Sequence, residues 1–255
     1  MLYINNPLEQ FELVLVSYLT NIDINSIRTT FILTNQTLFN IFVLFLLAVT
    51  FDFGYRNGKV LLKRWEYILE NIYTFIGAML LDNVGRISNN YFIFVFNIFL
   101  FILLLNLVGM IPYVFTTTSH IIVTLYFALA VFVGINIILI RTHGIYSLGL
   151  FLPGGAPIAL APLLVLIEVI SYFIRVISLS VRLFANMMSG HILLKVLLGF
   201  AWTMMLNKGI LLIVHLIPLF VVFLLMGLEV GVGIIQAYVF TILICIYLND
   251  AINLH

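Results

Sequence analysis

Residues 87 to 140 contain no Asp, Glu, Lys or Arg. A water-facing surface of that length would carry charge, so hydrocarbon has to be the solvent for this stretch. The rest agrees: 64% of the 255 residues are hydrophobic and 8% charged, with a mean hydropathy of +1.24. These values exclude a soluble globular domain. A net charge of +1 offers no polybasic surface to nucleic acid. The single cysteine, Cys245, cannot pair within the chain, so no internal disulfide or thiolate metal site is expected and its role is read as packing.

Residues 31 to 51 match the length of about 20 residues that a spanning helix needs. Arg56, Lys59, Lys63 and Arg64 follow directly and place that side in the cytoplasm or its organellar equivalent, with the N-terminus outside. No basic residue precedes Arg28, so no targeting peptide is read there. From 59 to 82, Lys59, Lys63, Glu66, Glu70 and Thr74 recur every three or four residues among Trp65, Ile68, Leu69, Ile72 and Phe75. That spacing predicts an amphipathic helix lying on the inner membrane face. Residues 91 to 140 read as a membrane hairpin punctuated at Pro112, with Arg141 returning it to the inner side. Residues 142 to 158, rich in Gly and Pro, read as a loop.

Two long apolar runs follow, 160 to 206 and 210 to 249, separated by Asn207, Lys208 and Gly209. As helices they would be about twice the ~30 Å hydrocarbon thickness, so each is either two conventional spans or one steeply tilted helix. Folded back on each other at Lys208 and Gly209, they bring polar residues to matching levels: Arg182 with Gln236, Glu168 with Asp250, His191 with Glu229. Glu168, Arg175 and Arg182 are seven apart, which keeps them near one helix face. His191, nine residues past Arg182, points to roughly the opposite face.

A cation at mid-membrane costs on the order of 2.5 to 3.5 kcal/mol on insertion scales, so it marks a partner or an ion path. Arginine does not deprotonate, which makes it a barrier to protons and an attractor for carboxylates. Glu, Asp and His can carry protons. The pattern is two proton half-paths, a carboxylate pair toward the inside and a His–Glu pair toward the outside, with a fixed positive charge between them.

The stretches "NLVGMIPYVFTTTSH" (106 to 120), "SLSVRLFANMMSGHILL" (178 to 194) and "LEVGVGIIQAYVFTILICIYLNDAINLH" (228 to 255) resemble subunit a of the F-type ATP synthases, in a mitochondrial, fungal-like form. The start "NPLEQFEL" resembles the fungal N-terminus. The resemblance implies an all-α integral membrane protein with one N-terminal span, an amphipathic surface helix, a hairpin and two long tilted antiparallel helices packed against a rotating ring of c subunits. It implies that Arg182 engages the ring carboxylate and blocks proton leak, that Glu229 and His191 form the intermembrane-space entry, and that Glu168 and Asp250 form the matrix exit. Gln236 and Asn186 are the polar neighbours it adds to the path. It further implies peripheral-stalk subunit b and small membrane subunits as partners, a dimer of whole complexes, the mitochondrial inner membrane as location, no cofactor, and a short leader at residues 1 to about 5. Arg175 departs from the wider family and is not expected to be essential.

Plainer readings stand beside these. Glu168 could simply neutralise Arg175. Lys195 and Lys208 suit snorkelling, and His120 and His215 suit hydrogen-bonded positions near helix ends. Asn97, Asn106 and Asn136 suit interhelical hydrogen bonds, and Gly227 with Gly231 a packing pair. "NQT" at 35 to 37 falls in the first span, so it is discounted as a glycosylation acceptor. A haem subunit would need paired histidines that the sequence lacks, and an ion or solute transporter of another family would show internal repeats, of which there are none. No GxxxxGK[ST] loop is present, so nucleotide chemistry would belong to other subunits.

Overall fold

The structure is a computed structural model that describes residues 11–24, 27–55, 64–85, 90–111, 114–151, 160–206 and 216–252. Arg56, Lys59, Lys63, Pro112, the end of the 142–158 loop, Lys208, Gly209 and His215 lie outside the described residues, as do residues 1 to 5. Two strands come first, β1 (Leu15–Ile24) and β2 (Ile27–Thr34), paired antiparallel. Six helices follow among the described residues: α1 (Asn35–Tyr55), α2 (Arg64–Val84), α3 (Phe92–Gly109), α4 (Ile121–His143), α5 (Ala161–Leu206) and α6 (Leu216–Ile252). Short 3-10 segments precede α4 and follow it. All but α2 are long and apolar enough to cross a membrane.

The first helix begins at Asn35, not at residue 31: Phe31 to Thr34 are the end of β2. The cause is local. Thr34 and Thr37 cap reciprocally, with Thr34 N donating to Thr37 Oγ1 at 3.0 Å and Thr37 N to Thr34 Oγ1 at 3.4 Å. This is the geometry of a capping box, with a threonine in place of the usual Glu or Gln. Asn35 then ties the helix start to the preceding chain through its Nδ2 on Glu12 O at 3.1 Å and its own N on Val14 O at 3.1 Å. The β-branched and aromatic run before Thr34 suits a strand.

Helix α5 is continuous over 46 residues, which removes the reading of that run as two separate spans. At ~1.5 Å per residue it is about 70 Å long. Residues 142 and 143, expected in a loop, extend α4, and Gly144–Phe151 forms a 3-10 turn.

The chain gathers into two compact units. Unit one comprises Met1–Thr50, Phe101–His120 and Phe184–Ile235. Its core is Val43, Leu105 and Val108 with Leu46, Phe101, Leu104 and Val114 packed around them, and Phe39 stacks on Phe115 at 6.2 Å. Unit two comprises Phe51–Leu100, Ile121–Leu183 and Gln236–His255. Ile76, Leu80, Val95, Ile135, Phe240 and Ile244 are among its fully buried residues, joined by aromatic contacts such as Tyr73 with Phe92 and Phe127 with Phe240.

Candidate functional site

In unit one, three helices bring polar groups together. Asn106, on α3, is completely buried and donates from Nδ2 to the Gly233 carbonyl of α6 at 3.0 Å. One turn before Gly233, the Glu229 carboxylate lies against α5 at Gly190, so closely that a Cβ at Gly190 would overlap it. The next residue, His191, hydrogen-bonds to the Gly109 backbone of α3. Both Glu229 carboxylate oxygens, His191 Nε2 and Asn106 Oδ1 are buried with no hydrogen-bond partner among the described residues. Unpartnered buried polar atoms are costly, and each points to a function or an ordered solvent partner. The predicted level-matching of His191 with Glu229 is thus met by Gly190 as the residue against the carboxylate, while His191 turns to α3.

In unit two the central group is Arg175. Its guanidinium lies 3.4 Å from Glu168 and 4.0 Å from Asp250, and 5.7 Å from the Tyr247 ring centroid, within cation–π range. Glu168 and Asp250, expected to face each other, are joined through this cation. With side-chain exposures of 32 to 38%, the pairs are only partly buried. Nearby on α5, Tyr172 donates to Asn136 Oδ1 of α4 at 2.9 Å. Thr124 of α4 and Ser180 of α5 share a buried hydroxyl contact at 3.2 Å, and His143 meets the Ile252 carbonyl at 3.0 Å. Asn106 and Asn136 thus make the interhelical bonds expected of them.

Arg182 is exposed on α5. It sits in a stripe of exposed residues at three- and four-residue spacing that runs through Ile174 (55%), Ser178, Arg182, Ala185, Ser189 and Leu193 (47%). One turn away on either side stand the small exposed residues Ser178 and Ala185. Gln236 is buried at 5%. Asn186 is half-buried, as is Lys195. Sequence reasoning missed Gly190, which carries no chemical signature, and the tyrosines Tyr172 and Tyr247, whose periodicity does not set them apart from packing aromatics.

A family model described as "ATP synthase A chain" matches residues 37–249. The chain belongs to the ATP synthase subunit a family. It is 47% identical over 252 residues to the subunit a of Chondrus crispus, covering 99% of this chain and 98% of that one. It is 50% identical over 252 residues to that of Pylaiella littoralis, at 98% and 99% coverage, and 45% identical over 250 residues to that of Pelagibacter ubique, at 98% of each. None of these three is fungal, so the family is shown without its fungal form being singled out. As a subunit a it is a non-catalytic membrane component of ATP synthesis and proton transport, and the nucleotide chemistry lies elsewhere in the enzyme.

Proposed function

We propose that this chain is the stationary half of a proton-driven rotary motor in the mitochondrial inner membrane, with its N-terminus in the intermembrane space and Arg182 facing the carboxylates of a rotating c-ring. The observation that carries this reading is the exposure of Arg182 within an apolar face of α5. A permanent cation exposed on an otherwise lipid-like surface is unstable unless a membrane-embedded anion comes to meet it. Ser178 and Ala185 flank it with room for a second helix to approach closely.

The proton path divides between the two polar groups. Glu229 and His191, half-buried and titratable, receive protons from the intermembrane space and pass them to the ring. Glu168 and Asp250 release them on the matrix side, and Arg175 holds that pair in place. Asn186 and Gln236 supply polar contacts beside the arginine. Arg182 cannot itself carry a proton; it keeps the unloaded ring carboxylate ionised and prevents a direct leak. Each proton crossing contributes about 2.3 kcal/mol per 100 mV of membrane potential. Subunit b, small membrane subunits and a second whole complex are the further partners in this reading.

The test is ATP-driven and passive proton flux in vesicles containing the assembled complex, with Arg182→Ala and Arg182→Lys beside wild type. Loss of coupled pumping in both, with the complex still assembled, is the expected result. Pumping near the wild-type rate in either would reduce Arg182 to a structural charge.

A further inference from the structure

Asn106 sits in the charge-free span, is 0% exposed, and uses only half of its amide: Nδ2 anchors α6 at Gly233, while Oδ1 has no protein partner among the described residues. A fully buried amide in hydrocarbon usually satisfies both ends, because an unsatisfied acceptor costs on the order of 1 to 3 kcal/mol. The same unit holds further such atoms, among them His191 Nε2 and the two Glu229 oxygens. Asn106 stands within one turn of both groups. Gly109, which bonds the His191 ring, is three residues further along α3, and Gly233, which bonds Asn106, is four residues past Glu229 on α6. One turn is about 5.4 Å.

The missing Cβ at Gly190 leaves the Glu229 carboxylate its place, whereas at Gly233 Asn106 and the ends of Met187 and Met110 stand 3.5, 3.6 and 3.8 Å from where a Cβ would be, ordinary packing contact. A polar neighbourhood with several convergent acceptors is where a buried water is stable, since such a water makes about three hydrogen bonds.

We propose that Asn106 is an uncharged member of the proton entry path, its Oδ1 accepting a hydrogen bond from water that also contacts His191 and Glu229. The inference rests on the reading of Glu229 and His191 as that entry. An amide oxygen takes up no proton at physiological pH, so Asn106 orients the hydrogen-bonded chain and the proton itself moves between water, His191 and Glu229. Nδ2 fixes the side chain so that Oδ1 stays turned to that chain.

The experiment uses the complete complex in vesicles and measures ATP-driven proton pumping, together with its dependence on the pH of the intermembrane-space side. Asn106→Leu keeps the volume and removes the acceptor; pumping should fall about tenfold, the factor that one ordinary hydrogen bond supports, and the pH dependence should shift. Asn106→Ser restores a hydroxyl and room for a further water, and should return pumping to within a few-fold of wild type. Wild-type pumping in the leucine variant would overturn the proposal. So would equal losses in both variants with an unchanged pH profile, which would mark Asn106 as an anchor alone. If the leucine variant does not assemble, the serine variant decides: a displaced pH profile supports the proposal and an unchanged one overturns it. Glu229→Gln separates the two levels. If it pumps like wild type the entry path itself is misassigned, and if it stops pumping while Asn106→Leu does not, only the role of Asn106 fails.

Discussion

The Glu229 carboxylate of α6 rests on the backbone of α5 at Gly190, in the space that any larger residue's Cβ would take. A glycine inside a helix costs roughly 1 kcal/mol relative to alanine, so its presence in the middle of α5 needs a reason, and the carboxylate supplies one. The contact atom is the end of a flexible side chain, so the fold can yield while the carboxylate moves.

Gly190→Ala should therefore leave assembly and thermal stability at or slightly above wild type, by up to about 1 kcal/mol from helix propensity, while proton pumping falls. Pumping rate and melting temperature measured on the same preparation check this. A joint fall of both would make Gly190 a packing residue rather than a seat for Glu229.

The relation between Gly190 and Glu229 also shows where sequence reading stops. The long apolar helices were legible because lipid demands about 20 uncharged residues per span, and that demand leaves a plain trace. Of the levels read from helical spacing, Glu168 and Asp250 both come to Arg175, and Glu229 comes to Gly190, next to His191. What joins a level was legible only in part: the spacing offers Glu168 as a partner of Arg175, and the structure adds Asp250 to the same guanidinium. The strand before α1 was hidden because a short apolar run looks the same for strand and helix, and the reciprocal caps of Thr34 and Thr37 are weaker signals than the hydropathy around them.

Arg175→Ala should slow proton pumping without abolishing it. The pairs to Glu168 and Asp250 are one-third exposed, and exposed pairs are worth about 1 kcal/mol or less, which corresponds to a rate loss of roughly fivefold. Arg175→Lys should recover part of it, since a lysine keeps the charge but not the planar fork that reaches two carboxylates. Pumping in vesicles is the readout, and a complete loss like that expected of Arg182→Ala would make Arg175 a second essential cation.

The buried hydroxyl pair Thr124 and Ser180 pins α4 to α5 two residues before Arg182. Interhelical hydrogen bonds in membranes average about 0.6 kcal/mol by double-mutant cycle. Thr124→Val, Ser180→Ala and the double variant should give a coupling energy near that value in reversible unfolding from detergent. A coupling of zero would mean that the two hydroxyls merely lie side by side.

His120, in the segment between α3 and α4, stacks on Phe115 at 5.3 Å and has a buried, unpartnered Nε2. Burial pushes its pKa below the ordinary 6.5, because the charged ring loses hydration and gains no anion. At pH above 6.5 the ring is neutral whether the segment is folded or not, and it contributes no pH dependence. As pH falls below 6.5 the unfolded chain takes up the proton first, so stability declines until the folded-state pKa is passed and then levels off. Lowering the pH from 7.5 to about 5.5 should therefore lower the melting temperature of the assembled complex by more than it does in His120→Gln, where this titration is gone. Equal declines in the two proteins would assign the acid sensitivity to other groups and leave His120 a neutral packing ring on Phe115.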